Sequence, residues 1–140
     1  MPKILVIEGS KRAREGMVSA LEQAGFGVIT AANAGQGLSQ LGKSRLHLVI
    51  LTHNPPVVNA GELCFQVRQI SQVPIIVIGS GKRELTSVRF LETGADAYMT
   101  KPVSLVELVG RVRSLLRHAW GGEPQAGTEK EGSAPRSIVN

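Results

Sequence analysis

The sequence predicts an α/β fold in which a parallel five-stranded sheet is covered by helices on both faces. Short apolar runs rich in β-branched residues recur at intervals of about 20 to 27 residues. Between these runs the apolar residues change to helical spacing of three and four. The runs are almost continuously apolar rather than alternating, which is typical of strands buried on both faces of a parallel sheet. A doubly wound sheet satisfies all three observations.

The strands follow from the apolar runs. Four runs are predicted as buried strands, and a shorter fifth follows the Gly94-Ala95-Asp96 turn. The predicted strands are 4–7, 28–30, 48–51, 75–78 and 97–99.

The helices are marked by their predicted caps. Ser10 precedes the first helix, and Gly25 follows it at the position where a glycine commonly ends a helix. Ser104 opens an S-x-x-E capping box before the last helix, which we expect to end at about residue 118. Asn33 and Asn59 are the candidate caps of the second and third helices. The expected inward face of the last helix comprises Leu105, Leu108, Val112, Leu115 and Leu116.

Length and composition indicate one globular domain. The chain has 140 residues, 42% of them hydrophobic, which leaves little room for a second domain. No apolar run approaches the roughly 20 residues that span a bilayer, and the N-terminus lacks a signal-peptide pattern. We therefore expect a cytoplasmic protein that does not contact the membrane. A single cysteine, Cys64, excludes an internal disulfide and is expected to be a buried, inert thiol.

The net charge of +5 is a weak indication of nucleic-acid binding. The basic residues are scattered, and aromatic residues make up only 4% of the chain, so few could stack on bases. Residues 1–119 are predicted to form the domain. Residues 120–140 are polar and rich in glycine and proline, and are interpreted either as a flexible tail or as a flexible linker to an effector domain outside this chain.

Polar and small residues follow four of the predicted strands. In an open parallel sheet the functional crevice lies beyond the carboxyl ends of the strands, so these residues should meet in one pocket. The pocket would hold one carboxylate, one hydroxyl, one lysine and several small residues. The segments are Glu8-Gly9-Ser10, Thr52-His53-Asn54, Gly79-Ser80-Gly81 and Thr100-Lys101-Pro102.

The segment Gly94-Ala95-Asp96-Ala97-Tyr98-Met99-Thr100-Lys101-Pro102 is similar to the signature G-A-D-D-Y-x-x-K-P of receiver domains of two-component response regulators. The resemblance covers about residues 3 to 118. It implies the flavodoxin-like and CheY-like strand order 2-1-3-4-5. It also implies a cis bond between Lys101 and Pro102.

The resemblance implies chemistry that this chain lacks the residues to perform. A receiver accepts a phosphoryl group on an aspartate at the end of strand three, beside a magnesium ion held by an acid pair after strand one. Here Thr52 stands at the first position and Glu8-Gly9 at the second. The expected switch hydroxyl is replaced by Gly79, with Ser80 one residue later, and Lys101 alone is unchanged.

We therefore predict a pseudo-receiver that has no catalytic residues, metal site or cofactor. Glu8 and Lys101 sum to zero charge, so no cation is required, and we expect them to contact each other directly or through water. The only aspartate in the chain, Asp96, lies at the opposite end of the sheet and cannot replace the phosphoacceptor. Phosphorylation of Thr52 by an unrelated kinase and an adapted metal site remain the alternatives.

The resemblance also predicts an output surface. Tyr98 matches the aromatic residue that reports the state of the site in receivers, although simple half-buried packing would also explain it. The output face is expected on the helix between strands four and five, strand five and the last helix. It resembles the dimer surface of OmpR-like regulators, but Ala97 replaces the second acid of the usual pair. We assign to this output face Arg89, Glu92, Asp96, Glu107 and Arg111.

The first functional hypothesis is a regulatory and dimerising domain of a DNA-binding transcriptional regulator that works without aspartyl phosphorylation. DNA would be bound only by an effector domain outside this chain. The second is a stand-alone adaptor that binds a partner kinase or another protein without DNA. Neither hypothesis makes the chain an enzyme.

Overall fold

The computed structural model describes residues 1–80 and 93–120, in which strands and helices alternate along the chain. The strands are β1 (Lys3–Ile7), β2 (Gly27–Ala31), β3 (Leu48–Thr52), β4 (Ile75–Gly79) and β5 (Ala97–Thr100). The helices are α1 (Lys11–Gln23), α2 (Ala34–Lys43), α3 (Ala60–Arg68) and α4 (Leu105–Trp120).

The five strands form one parallel sheet in the order β2-β1-β3-β4-β5. The predicted fold class and strand order are therefore confirmed. Because all strands run in the same direction, their carboxyl ends meet at one edge of the sheet, where the predicted pocket residues follow them.

The core consists of two apolar clusters, one on each face of the sheet. Successive side chains of a strand point to opposite faces, so Leu5 and Ile7 belong to one cluster and Ile4 and Val6 to the other. The first cluster includes side chains of α3 and packs against α2, and the second includes side chains of α1 and α4. Both faces of the sheet are thus covered, as the continuous apolar strands predicted.

The predicted helix caps are confirmed. A side-chain oxygen accepts a hydrogen bond from the backbone N–H three residues later at each of Ser10, Asn33, Asn59 and Ser104. Gly25 has a φ of 98° and Gly94 a φ of 116°, and residues with a side chain rarely adopt such a backbone conformation. The expected inward face of α4 is correct for Leu108, Val112 and Leu116, and Leu115 is partly buried against the same cluster, but Leu105, the first residue of the helix, is 38% exposed.

Several predicted features lie outside the described residues. These are the helix between strands four and five, which would carry Arg89 and Glu92, and most of the predicted linker 120–140. Among the described residues, no helix combines the length and the hydropathy required to cross a membrane.

Candidate functional site

Two polar side chains are buried at the carboxyl edge of the sheet. Glu8 is 5% exposed and Thr52 is 1% exposed, and no other polar or charged side chain of residues 1–80 and 93–118 is buried. They directly follow the paired residues Ile7 and Leu51, so they lie side by side on adjacent strands. Strand alternation places both on the face that α1 and α4 cover. The structure therefore brings together the first two elements of the predicted pocket.

The carboxylate of Glu8 is held by the start of α1. Its Oε2 accepts a hydrogen bond from the backbone N–H of Ser10 at 2.9 Å. Arg14 Nη1 donates to the backbone carbonyl of Glu8 at 2.7 Å, and the Glu8 N–H donates to Ala31 at 3.0 Å. A negative charge beside the N-terminus of a helix is favourable because the unpaired N–H groups there carry partial positive charge. The negative charge of Glu8 is thus stabilised by the Ser10 N–H and by the N-terminus of α1.

Lys101 lies at the same edge but is exposed. The ion pairs found between described residues are Arg68–Asp96 and Arg111–Glu107, and neither includes Lys101. Glu8 and Lys101 therefore form no direct ion pair, and Glu8 Oε2 accepts a hydrogen bond from the backbone N–H of Ser10 instead. The alternative contact through water stays a prediction. The Lys101–Pro102 bond is cis, as predicted.

The hydroxyl of Thr52 has no hydrogen-bond partner within the described structure, although it is completely buried. The next residue, His53, uses Nδ1 to accept a hydrogen bond from the backbone N–H of Ala60 at 3.0 Å. This contact satisfies a donor at the start of α3. The imidazole therefore has a capping role at the start of α3 that was not predicted from the sequence.

Gly9 leaves space beside Glu8. A Cβ atom built on Gly9 would lie 3.4 Å from Asn54 Nδ2 and 3.4 Å from Val57 Cγ1, which are ordinary contact distances. Asn54 and Val57 belong to the loop after β3. Asn54 is part of the predicted pocket segment that follows β3, so its position beside Gly9 agrees with the prediction, whereas Val57 was not predicted there.

Gly79 and Tyr98, predicted as switch position and output residue, are in contact. A Cβ atom built on Gly79 would lie 2.5 Å from the Tyr98 hydroxyl and 2.9 Å from its Cε1. Tyr98 is half-buried and packs against the core cluster on the side of α2 and α3. Ser80 follows as an exposed residue.

Asp96 lies at the start of β5, at the opposite edge from the pocket, as predicted. Its Oδ2 accepts hydrogen bonds from the Ile75 N–H and from Arg68 Nη2, both at 2.8 Å. Arg68 also donates to the backbone carbonyls of Val73 at 2.6 Å and Gly94 at 2.8 Å. Asp96 thus takes part in a clasp that joins α3 to the beginnings of β4 and β5.

Glu107 and Arg111 lie one turn apart on α4, with 3.7 Å between Arg111 Nη2 and Glu107 Oε2. Arg111 Nη1 is buried and has no hydrogen-bond partner in the described part of the chain. The assignment of these residues to a partner face stays a prediction.

Cys64 is buried in α3. Burial raises the pKa of its thiol to about 11, and a hydrogen bond to Thr93 opposes this only in part. A thiol with so high a pKa contains little thiolate at neutral pH and reacts slowly, which agrees with the expected inert cysteine.

The residues at the pocket do not fit a magnesium ion. Magnesium prefers a near-octahedral set of hard oxygen ligands, with carboxylates supplied by the protein. Of the described residues, the pocket offers one carboxylate that is already hydrogen-bonded to Ser10, next to a neutral hydroxyl and a glycine. Among the described residues, no three His, Cys, Asp or Glu side chains are grouped to hold a metal.

The sequence of this chain is similar to a known protein family and to several curated proteins. The profile of the response regulator receiver domain family matches residues 4–113. A probable transcriptional regulatory protein of Picosynechococcus is 42% identical over 123 residues, which cover 82% of this chain and 49% of the relative. The transcriptional regulatory protein CpxR of Klebsiella pneumoniae is 34% identical over 129 residues, which cover 92% of this chain and 55% of that protein. The chain thus spans about half the length of these curated relatives.

Solved structures show the same fold. The receiver domain of the response regulator TorR, of the TMAO respiratory system, has a TM-score of 0.79 and 30% identity, and the match covers 84% of this chain and 98% of that domain. A two-component response regulator from Clostridium difficile has a TM-score of 0.80 and 24% identity, and the match covers 85% of this chain and 98% of that one.

Proposed function

This chain belongs to the response regulator receiver domain family, and we propose that it is an atypical receiver that acts in signal transduction without aspartyl phosphorylation. The proposal assigns no catalytic residue and no magnesium ion to the degenerate pocket, which comprises Glu8, Gly9, Thr52, Gly79, Ser80 and Lys101.

The observation that carries this proposal is the buried threonine at the end of β3. Phosphoryl transfer to a side chain at this edge requires a nucleophile and positive charge that balances the phosphoryl oxygens. Among the described residues, no base accepts a hydrogen bond from the hydroxyl of Thr52, and Thr52 is 1% exposed. The carboxylate of Glu8 is engaged by the Ser10 N–H rather than presented to an ion.

We further propose that the chain is the regulatory part of a DNA-binding transcriptional regulator in the cytoplasm. Relatives that share this domain are named as transcriptional regulatory proteins, and the chain corresponds to about half of their length. DNA would then be bound by an effector domain outside this chain. Contact with a partner protein or a second copy would use the output face, with Asp96, Glu107 and Arg111 contributing.

Phosphorylation by a small donor tests the proposal. After incubation with acetyl phosphate and magnesium, the wild-type chain should show no added phosphoryl mass in intact-protein mass spectrometry. Thr52→Asp alone should remain inefficient because the pocket still has only one acid after β1. The double variant Thr52→Asp/Gly9→Asp should take up phosphate and bind magnesium, because it supplies the phosphoacceptor and the second acid, and a Cβ atom at residue 9 would lie 3.4 Å or more from its described neighbours.

The matched control is Thr52→Asn/Gly9→Asp. It has nearly the same shape as the double variant and the same two acids after β1, but it has no carboxylate at residue 52. It should bind no phosphoryl group. A stoichiometric, acid-labile adduct on the wild-type chain would overturn the proposal. Equal phosphorylation of the single Thr52→Asp variant and the double variant would show that the missing acid at residue 9 is not limiting.

A further inference from the structure

The ring of Tyr98 occupies the space that a side chain at residue 79 would need. Val77 of β4 is the register partner of Tyr98, and Gly79 lies two residues further along β4 on the same face. The ring leans diagonally across the two strands toward the carboxyl edge, and its hydroxyl reaches the level of Gly79. Any Cβ atom at residue 79 would overlap the Tyr98 ring, because it would lie 2.5 to 3.1 Å from three of its atoms.

The backbone of Gly79 does not itself require glycine. The described glycines with positive φ are Gly25 and Gly94, so Gly79 has a conformation that alanine can adopt. It also sits at the end of a buried strand, where glycine weakens the strand relative to residues with side chains. The contact with Tyr98 is therefore the feature of the structure that explains a glycine here.

We propose that Gly79 locks Tyr98 in one conformation, in which the ring lies over Gly79; we call this the inward position. With the ring held there, the output face at β5 does not switch between two conformations. This inference deepens the proposed function, on which it rests for its biological meaning, because a receiver without phosphorylation has no trigger to move the ring. A larger side chain at residue 79 would compete with the Tyr98 ring for the same space, so that the ring could move in or out. Glycine has no side chain and leaves that space to the ring.

Packing favours the inward position. In it the ring contacts the core cluster that includes Val77, and the gap over Gly79 is filled. An outward ring would expose aromatic surface to water and leave a void next to the strand, and both changes are unfavourable. The lock therefore needs no ligand to maintain it.

The lock can be tested with the tyrosine itself, because Tyr98 is the only tyrosine in the chain. Nitration by tetranitromethane and the ¹⁹F NMR signal of incorporated fluorotyrosine each report on one residue. In Gly79→Ala the ring should be displaced, nitration should become several-fold faster, and the ¹⁹F signal should move toward its solvent-exposed position. In the control Gly110→Ala, where an added Cβ meets no atom of the described residues within 4 Å, both readouts should match the wild type.

A folded Gly79→Ala variant with the wild-type nitration rate and ¹⁹F shift would overturn the lock. If Gly79→Ala fails to fold, the double variant Gly79→Ala/Tyr98→Ala decides the question. The double variant should then have the same unfolding midpoint as Tyr98→Ala alone, because no ring opposes the new methyl group. Loss of folding in the double variant as well would show that the ring contact is not the reason for glycine at this position.

These measurements use no phosphoryl donor, so they separate the lock from the proposed function. Phosphorylation of the wild-type chain would contradict the proposed function and leave the nitration result unchanged. An unaltered ring in folded Gly79→Ala would contradict the lock and leave the phosphorylation result unchanged.

Discussion

At the scale of a single residue, the buried hydroxyl of Thr52 lowers the free energy of unfolding. It is buried without a hydrogen-bond partner in the described structure, and an unsatisfied buried hydroxyl loses its hydrogen bonds to water. Thr52→Val replaces it with a methyl group of similar size. We expect the free energy of unfolding in urea to rise by about 1 kcal/mol. Thr52→Ser is the control, because it keeps the hydroxyl and loses the methyl group, and it should lower the free energy of unfolding by about 1 kcal/mol. Destabilisation by valine would mean that the hydroxyl is satisfied.

At the scale of one element, α2 packs directly onto β1 through a glycine. A Cβ atom built on Gly37 would overlap the Ile7 side chain, whereas one built on Gly110 in α4 would meet no atom within 4 Å in the described part of the chain. We therefore expect a Gly→Ala substitution to change the free energy of unfolding in opposite directions in the two helices. Gly110→Ala should raise the free energy of unfolding by about 0.5–1 kcal/mol because alanine has less backbone freedom to lose. Gly37→Ala should lower it by about 1–3 kcal/mol because the added methyl overpacks the helix against the strand. Denaturant unfolding of both variants tests this, and equal effects would contradict the close approach of α2.

At the scale of the whole molecule, self-association should depend on the output face of β5 and α4. The carboxylate of Asp96 is already used by Arg68 within the chain, and Ala97 offers no charge, so we expect a weak dimer. Arg111→Glu places two like charges one turn apart on α4 and should abolish the concentration-dependent dimer in sedimentation velocity. Arg113→Glu makes the same charge change at an exposed position on the same helix and should leave the dimer intact. Equal loss in both variants would show that net charge rather than this face controls association.

Local pattern alone determined the elements of this protein and the edge at which its pocket lies. Strand runs, helical spacing and caps such as Ser10 and Asn59 depend on residues close together in sequence, so they could be predicted without coordinates. The meeting of Glu8 and Thr52 at one edge follows from parallel strands, whose carboxyl ends share a side. The absence of a carboxylate at residue 52 was likewise a property of the sequence.

Only the tertiary structure decided how the pocket side chains are partnered. Glu8 could have paired with Lys101, but the N–H of Ser10 is nearer and already positioned by the first turn of α1. Asp96 is joined to Arg68, 28 residues earlier, because α3 ends beside the start of β5. The ring of Tyr98 lies on Gly79 for a similar reason, since its direction is set by the packing around it. Such choices depend on rotamers and on distances between chain segments far apart in sequence, which periodicity does not encode.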